Sequence, residues 1–180
     1  MLQPLAGTTL LVTGGSGFVC SYLLDTVAHL NDDVFTEPCH VISVDNLRTG
    51  LPERVQHLAG RQDFRFINHH VSEPLTLDEQ VRSMLYLSTS EIYGDPDAAH
   101  VPTREDYRRS VSCTGPRACY DESKRLAETL CATYHPSYHL PVRVVRPFNV
   151  YGPGQRLDDR RIVPDLISAA PRAETAGAAQ

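Results

Sequence analysis

The sequence predicts an α/β fold built on a doubly wound parallel sheet, and three observations carry that expectation. A short apolar run, Thr9-Leu10-Leu11-Val12-Thr13, stops at the turn Gly14-Gly15-Ser16-Gly17, and a helical pattern starts at once from Phe18. A second apolar run, Cys39-His40-Val41-Ile42-Ser43-Val44, ends in Asp45. A third segment, Asp63 to Asn68, alternates in the manner of a strand. Short buried strands alternating with helical or turn segments are the pattern of βαβ units.

At 180 residues the chain is long enough for one domain with a real core. Residues 1–168 are expected to form that domain. From Ala169 onward Ala, Pro, Gly and charged residues dominate, which predicts a disordered tail over 169–180. A formal charge of -5 gives no basic footprint, so nucleic acid is not an expected partner. No run approaches the ~18 apolar residues of a membrane span, and no membrane association is expected. Five cysteines without a C-x-x-C pair suggest neither a disulfide framework nor a zinc site, and the eight histidines lack ligand spacing. No metal is expected, and a reducing cytoplasm is the expected location.

Along the chain, Phe18 to Leu30 predicts a helix with Phe18, Tyr22, Leu23, Val27 and Leu30 inward. In a strand, glycine turn and helix of this order, Gly14 and Gly17 let the backbone approach a pyrophosphate at the helix N-terminus, where free N–H groups and the helix dipole favour anions. Cys20 takes the place of the third glycine of such a turn and is small enough to pack between helix and strand. Asp45, at the end of the second strand, can accept both ribose hydroxyls of an adenosine, which favours NAD. The same Asp-Asn pair can equally form a turn, and Arg48 nearby could meet a 2'-phosphate. Leu51 to Leu58 predicts a short helix.

Ser83 to Thr89 predicts a further strand, ending in Ser88-Thr89-Ser90-Glu91-Ile92-Tyr93-Gly94. Ligands sit beyond the carboxyl ends of strands in such sheets, although a Ser/Thr run there also serves as a helix cap. The loop Asp95 to Ser112 suits a cover. A helix from Tyr120 to near Pro136 places Tyr120 and Lys124 four apart on one face. An ammonium beside a phenol favours the phenolate, so Tyr120 is a candidate acid/base, while the same spacing also occurs on ordinary solvated helices. Pro141 to Arg146 predicts the last strand, with Asn149 at its carboxyl end.

The motifs G-G-S-G-F-V, D-N-L-R-T-G, S-T-S-E-I-Y-G-D-P, G-P-R-A-C-Y-D-E-S-K-R and R-P-F-N-V-Y-G-P, in this order, resemble those of the extended short-chain dehydrogenase/reductases that modify nucleotide sugars. Within that NAD-dependent epimerase/dehydratase family the chain looks most like the UDP-glucuronate decarboxylases, or UDP-xylose synthases, with a Rossmann-like sheet. The resemblance implies Tyr120 as catalytic base, Lys124 as its partner and ribose holder, Thr89 at the reacting hydroxyl and Glu91 beside the sugar. Gly14, Gly17, Phe18 and Val19 would line the pyrophosphate, with Asp45, Asn46, Thr49 and Gly50 on the adenosine side of NAD. Ser90, Tyr134, Asn149 and Arg161 would face a nucleotide sugar such as UDP-glucuronate.

Three steps are implied: oxidation at the 4-hydroxyl, loss of carbon dioxide from the 4-keto acid, and hydride return to give UDP-xylose. Ser90 separates this reading from the sugar 4,6-dehydratases, whose motif carries an aspartate there. Dehydratase, 4-epimerase or a catalytically silent dinucleotide-binding fragment are the alternatives. A homodimer is the assembly implied by the resemblance. Against the family pattern, a strand-helix unit of roughly 30 residues is missing near Val81-Arg82, the smaller substrate domain is missing after the described motifs, and His70 replaces an adenine-contacting aspartate.

Overall fold

The computed structural model describes residues 3–78, 82–107, 111–158 and 162–177. Five strands and three helices are described. Strands β1 (Thr9–Thr13), β2 (His40–Asp45) and β3 (Phe64–Asn68) surround helix α1 (Phe18–Asp33) in sequence. Strand β4 (Met84–Leu87), helix α2 (Ala118–Tyr138), strand β5 (Val142–Val145) and helix α3 (Ile162–Gly177) follow. The chain separates into two compact units, Met1–Glu79 with Tyr151–Gln180, and Gln80–Val150.

In the first unit the strands are parallel in the order β1-β2-β3. Thr9 pairs with His40 and Asp45 with Asn68, so β2 is central, and it is buried from Val41 to Asp45. This is why its run reads as nearly continuous apolar sequence rather than as alternation. The core is Val12, Leu24, Val27, Cys39, Val41, Val55 and Leu58, with Cys20 packed at its margin. A larger residue at the Cys20 place would push helix from strand.

Helix α1 corrects one expectation. Ser21, Leu24, Val27 and Leu30 face inward, while Tyr22 and Leu23 are exposed. Leu24, Val27 and Leu30 follow the three-residue steps of a helical face, and Tyr22 instead donates through its hydroxyl to the Pro153 carbonyl at 2.6 Å. The helix also runs three residues past Leu30, and Asn31 in its last turn brackets the sheet. Its amide nitrogen donates to the Cys39 carbonyl at 2.9 Å and to Asp63 at 2.6 Å, and its oxygen accepts from Cys39 N–H at 2.8 Å.

The short helix expected over Leu51 to Leu58 is two single 3-10 turns, Pro52–Arg54 and Gln56–Leu58. Val55 separates them and is buried in the core with Leu58, so packing of those two side chains takes precedence over helical continuity. Residues 169–177, expected as disordered tail, belong to α3.

In the second unit β4 pairs in parallel with β5, Met84 opposite Val142 and Leu87 opposite Val145. Apolar residues of both strands stay exposed, among them Leu85 at 56% and Val145 at 40%. Parallel sheets are ordinarily covered on both faces, so this exposure is the mark of an incomplete doubly wound sheet. Helix α2 passes through Pro136 and ends at Tyr138, with His139 in the left-handed conformation as its cap. A proline so close to the end removes only one bond from the final turn.

Candidate active site

The predicted residues fall into two groups, one in each unit. The first group surrounds the glycine turn. Gly14 has φ of +70°, a conformation that favours glycine, and a side chain there would enter open space. A Cβ on Gly17 would come 2.9 Å from the Gly14 carbonyl oxygen, and one on Gly15 would collide with Ser43 Oγ. The turn is thus closed on the sheet side and open at Gly14, which fits a ligand backbone approaching it. Ser16 is fully buried and its Oγ has no hydrogen-bond partner among the described residues.

Asp45 is 7% exposed and accepts from Ser16 N–H at 3.0 Å and from Leu47 N–H at 2.8 Å. The carboxylate therefore ties the end of β2 to the glycine turn, using two of its roughly four acceptor positions. The Asp-Asn pair forms the turn, since Asn46 Oδ1 also accepts from Arg48 N–H at 3.0 Å. Gly50 lies against this carboxylate: a Cβ there would stand 2.9 Å from Asp45 Oδ2 and 2.8 Å from Ser16 Cβ. Thr49 and Val19 are exposed, and Phe18 stacks edge-on with Tyr22 at 5.5 Å.

The second group gathers where β4 ends and α2 begins. Lys124 Nζ donates to the Leu87 carbonyl at 2.7 Å, which anchors the second turn of α2 to the end of β4. The ammonium lies 5.9 Å from the Tyr120 ring centre and 5.1 Å from that of Tyr86. Tyr120 is 41% exposed, with the Arg117 guanidinium 5.6 Å from its ring centre. Burial pushes the Tyr86 hydroxyl above the usual phenol range, so it stays protonated beneath the lysine.

Immediately after Leu87, Ser88 and Thr89 are buried, and Thr89 caps the 3-10 turn Ser90–Tyr93 by accepting from Glu91 N–H at 3.3 Å. The capping role is thus the one that Thr89 fills in the fold. Ser90 N–H donates to the Pro147 carbonyl at 3.1 Å. Glu91 stands 3.6 Å from Arg117 in a solvent-exposed pair, an interaction of small energetic weight.

Tyr134 lies on the exposed face of α2 and packs its ring against Tyr138 at 5.0 Å. Asn149 is exposed beyond β5. Arg161 lies outside the described residues.

Sequence reasoning passed over the residues that hold this second group together. Arg146, directly after β5, donates to both Glu128 oxygens at 3.0 and 2.7 Å, to Tyr93 Oη at 3.0 Å and to the Glu105 carbonyl at 2.8 Å. Burial pushes the Glu128 carboxyl up, but the Arg146 guanidinium outweighs it and holds the group below the usual carboxylate range. The bonds join α2, the end of β5 and the turn that carries Glu91. Glu128 reads in sequence as one more surface acid on a helix, and no local pattern marks its partner eighteen residues on.

Residues 65–177 match the description NAD dependent epimerase/dehydratase family. The chain belongs to that family. Its NAD dependence agrees with the cofactor expected from the glycine turn. UDP-glucuronic acid decarboxylase 1 of Xenopus tropicalis is 35% identical over 204 residues, covering 92% of this chain and 46% of the relative. UDP-glucuronic acid decarboxylase 6 of Arabidopsis thaliana is 34% identical over 204 residues, covering 92% and 57%. The chain spans about half the length of the curated relatives it matches.

Each alignment is longer than the 180-residue chain itself, so the relatives carry internal positions that have no counterpart here. That agrees with a missing strand-helix unit. Among solved structures, UDP-glucuronic acid 4-epimerase from Bacillus cereus matches with TM-score 0.69 at 22% identity, over 92% of this chain and 63% of that one. dTDP-glucose 4,6-dehydratase from Streptomyces venezuelae matches with TM-score 0.64 at 20% identity, over 92% and 62%. These likenesses establish the α/β fold.

Proposed function

We propose that the chain carries the cofactor-binding and acid/base parts of an NAD-dependent UDP-glucuronate decarboxylase that forms UDP-xylose. The observation that carries this reading is the bond from Lys124 to the Leu87 carbonyl, which holds the start of α2 against Ser88 to Glu91. One short region of the second unit thus presents a phenol, an ammonium, a hydroxyl and a carboxylate. The decarboxylase relatives support the choice of substrate. Ser90 supports it further, because an acid beside a sugar carboxylate would add like-charge repulsion.

In this reading NAD supplies reversible hydride acceptance. Gly14 and Gly17 admit its diphosphate, Phe18 and Val19 flank it, and Asp45, Asn46, Thr49 and Gly50 serve the adenosine side. Tyr120 takes the proton of the sugar 4-hydroxyl while Thr89 orients that hydroxyl and Lys124 holds the ribose beside it. The resulting 4-ketone is beta to the carboxylate, so the electrons of the breaking carbon–carbon bond pass into an enolate stabilised by nearby donors. Glu91 orients the ring, and Asn149 faces the nucleotide sugar.

A homodimer in the cytoplasm completes the proposal. Leu126, Leu130, Tyr134 and Tyr138 recur every four residues along α2 and are 48 to 69% exposed, an apolar stripe suited to a second copy. The shortened sheet favours one other reading, a dinucleotide-binding protein without catalysis. Purified chain incubated with UDP-glucuronate and NAD separates the two. Carbon dioxide release that disappears in Tyr120→Phe supports the decarboxylase, whereas folded protein that binds NAD and releases none supports the silent form.

A further inference from the structure

We propose that Arg54 is a cationic ligand for the diphosphate of the dinucleotide, a role that rests on the NAD-binding reading above. Arg54 ends the first 3-10 turn after β2. Its Nη1 donates to the Ser16 carbonyl at 3.3 Å, its Nη2 donates to the Gly154 carbonyl at 2.9 Å, and its guanidinium lies 5.7 Å from the centre of the Phe18 ring. Two of its five N–H groups are thereby used. Both hydrogen bonds go to neutral carbonyls, and among the described residues Arg54 forms no ion pair.

The position of that charge is unusual. It stands beside the N-terminal end of α1, where the helix dipole is positive and anions are favoured over cations. The first turn of α1 holds no acidic residue, and Gly17 caps it without a side-chain bond. Asp45 is the carboxylate on the turn, and its oxygens accept from Ser16 and Leu47. A guanidinium at a positive helix end gains most when an anion sits between them.

Two further observations point to a ligand there. Ser16 is fully buried and its Oγ lacks a hydrogen-bond partner among the described residues, an unsatisfied hydroxyl within the same turn. Gly14 leaves open space where a side chain would otherwise stand. The guanidinium lies over the ring of Phe18, the first residue of α1, which places it beside the turn. A diphosphate matches this set better than a single carboxylate, because charge-assisted bonds from a planar guanidinium suit phosphate oxygens.

Calorimetric titration of the full chain with NAD, ADP, adenosine and NADP tests the assignment, using wild type, Arg54→Met and Arg54→Gln. Both variants are expected to lose about tenfold in affinity for NAD and ADP, with adenosine binding unchanged and a weaker dependence on salt. Arg54→Gln removes the charge but keeps a polar donor at the position, so it answers the question if Arg54→Met does not fold. Unchanged NAD affinity overturns the assignment, and so does an equal loss for adenosine, which would make Arg54 a tie between Ser16 and Gly154. A loss confined to NADP would also overturn it, by placing the guanidinium at a 2'-phosphate. Wild type that binds none of the four overturns the cofactor reading itself, and the Arg54 role with it.

Discussion

The Arg146 guanidinium meets the Glu128 carboxylate in a two-pronged bond, at 3.0 and 2.7 Å, with the two side chains only 26% and 15% exposed. Partial burial, shared with the Arg61–Asp63 pair, sets the Arg146–Glu128 pair apart from exposed two-pronged pairs such as Arg156–Asp158. Because Arg146 also reaches Tyr93, the pair fixes the turn bearing Glu91 relative to α2. Arg146→Met is expected to destabilise the protein by about 2 kcal/mol, since it leaves a half-buried carboxylate without its donors. Urea denaturation followed by circular dichroism measures this. A change within experimental scatter would show that the pair contributes nothing.

The same pair makes stability depend on acid. The Glu128 carboxyl titrates below its ordinary value of 4.5 in the folded chain, and Asp63, bonded to Arg61 and Asn31, titrates below 3.8. The unfolded chain therefore binds more protons as pH falls through this range, and folding loses free energy. The stabilisation is complete above about pH 5 and is lost progressively from the ordinary carboxylate values downward. Thermal midpoints measured from pH 7 to pH 3 should fall below pH 5, and less steeply in Glu128→Gln.

Asn31 satisfies both backbone groups of Cys39 and reaches Asp63 as well. Asn31→Ala is expected to cost about 2 to 3 kcal/mol, because Cys39 N–H and C=O lose their partner near the fully buried side chain of that residue. The denaturation midpoint should drop with an unchanged slope. Asn31→Asp, which keeps an acceptor but sets a second carboxylate against Asp63, should not restore it.

Gly50→Ala tests the contact between the Asp45 carboxylate and the glycine turn. Its added Cβ would stand 2.9 Å from Asp45 Oδ2 and 2.8 Å from Ser16 Cβ, so either the carboxylate or the turn must move. A loss of about 1 to 3 kcal/mol is expected from such crowding, together with weaker NAD binding by calorimetry. Retained stability with unchanged NAD affinity would show that the turn adjusts freely.

The stripe Leu126, Leu130, Tyr134 and Tyr138 carries the expectation of self-association. Leu130→Glu should shift sedimentation from dimer to monomer without lowering the thermal midpoint of the monomer, because Leu130 is already 48% exposed. A wild type that sediments as a monomer at all accessible concentrations would refute the dimer.

The sequence by itself determined the order of the five strands and of helices α1 and α2, the glycine turn and the spacing of Tyr120 and Lys124. These are local matters: β1 lies at Thr9–Thr13, as its apolar run predicts, and residues four apart on a helix share a face wherever the helix packs. The turn at Asp45-Asn46 was legible as well, being a local property of that pair.

Only the tertiary structure decided which side chains hold these pieces. Leu24 rather than Leu23 enters the core because the sheet selects one face of α1, and a single-residue shift around a helix is 100°. Leu51 to Leu58 breaks into two turns because burial of Val55 and Leu58 outweighs helical propensity. Arg146 finds Glu128 across eighteen residues, and Arg54 reaches Ser16 and Gly154 across still longer separations. Such pairings follow from where the backbone brings charged groups together, a long-range property that no local pattern of residue types encodes.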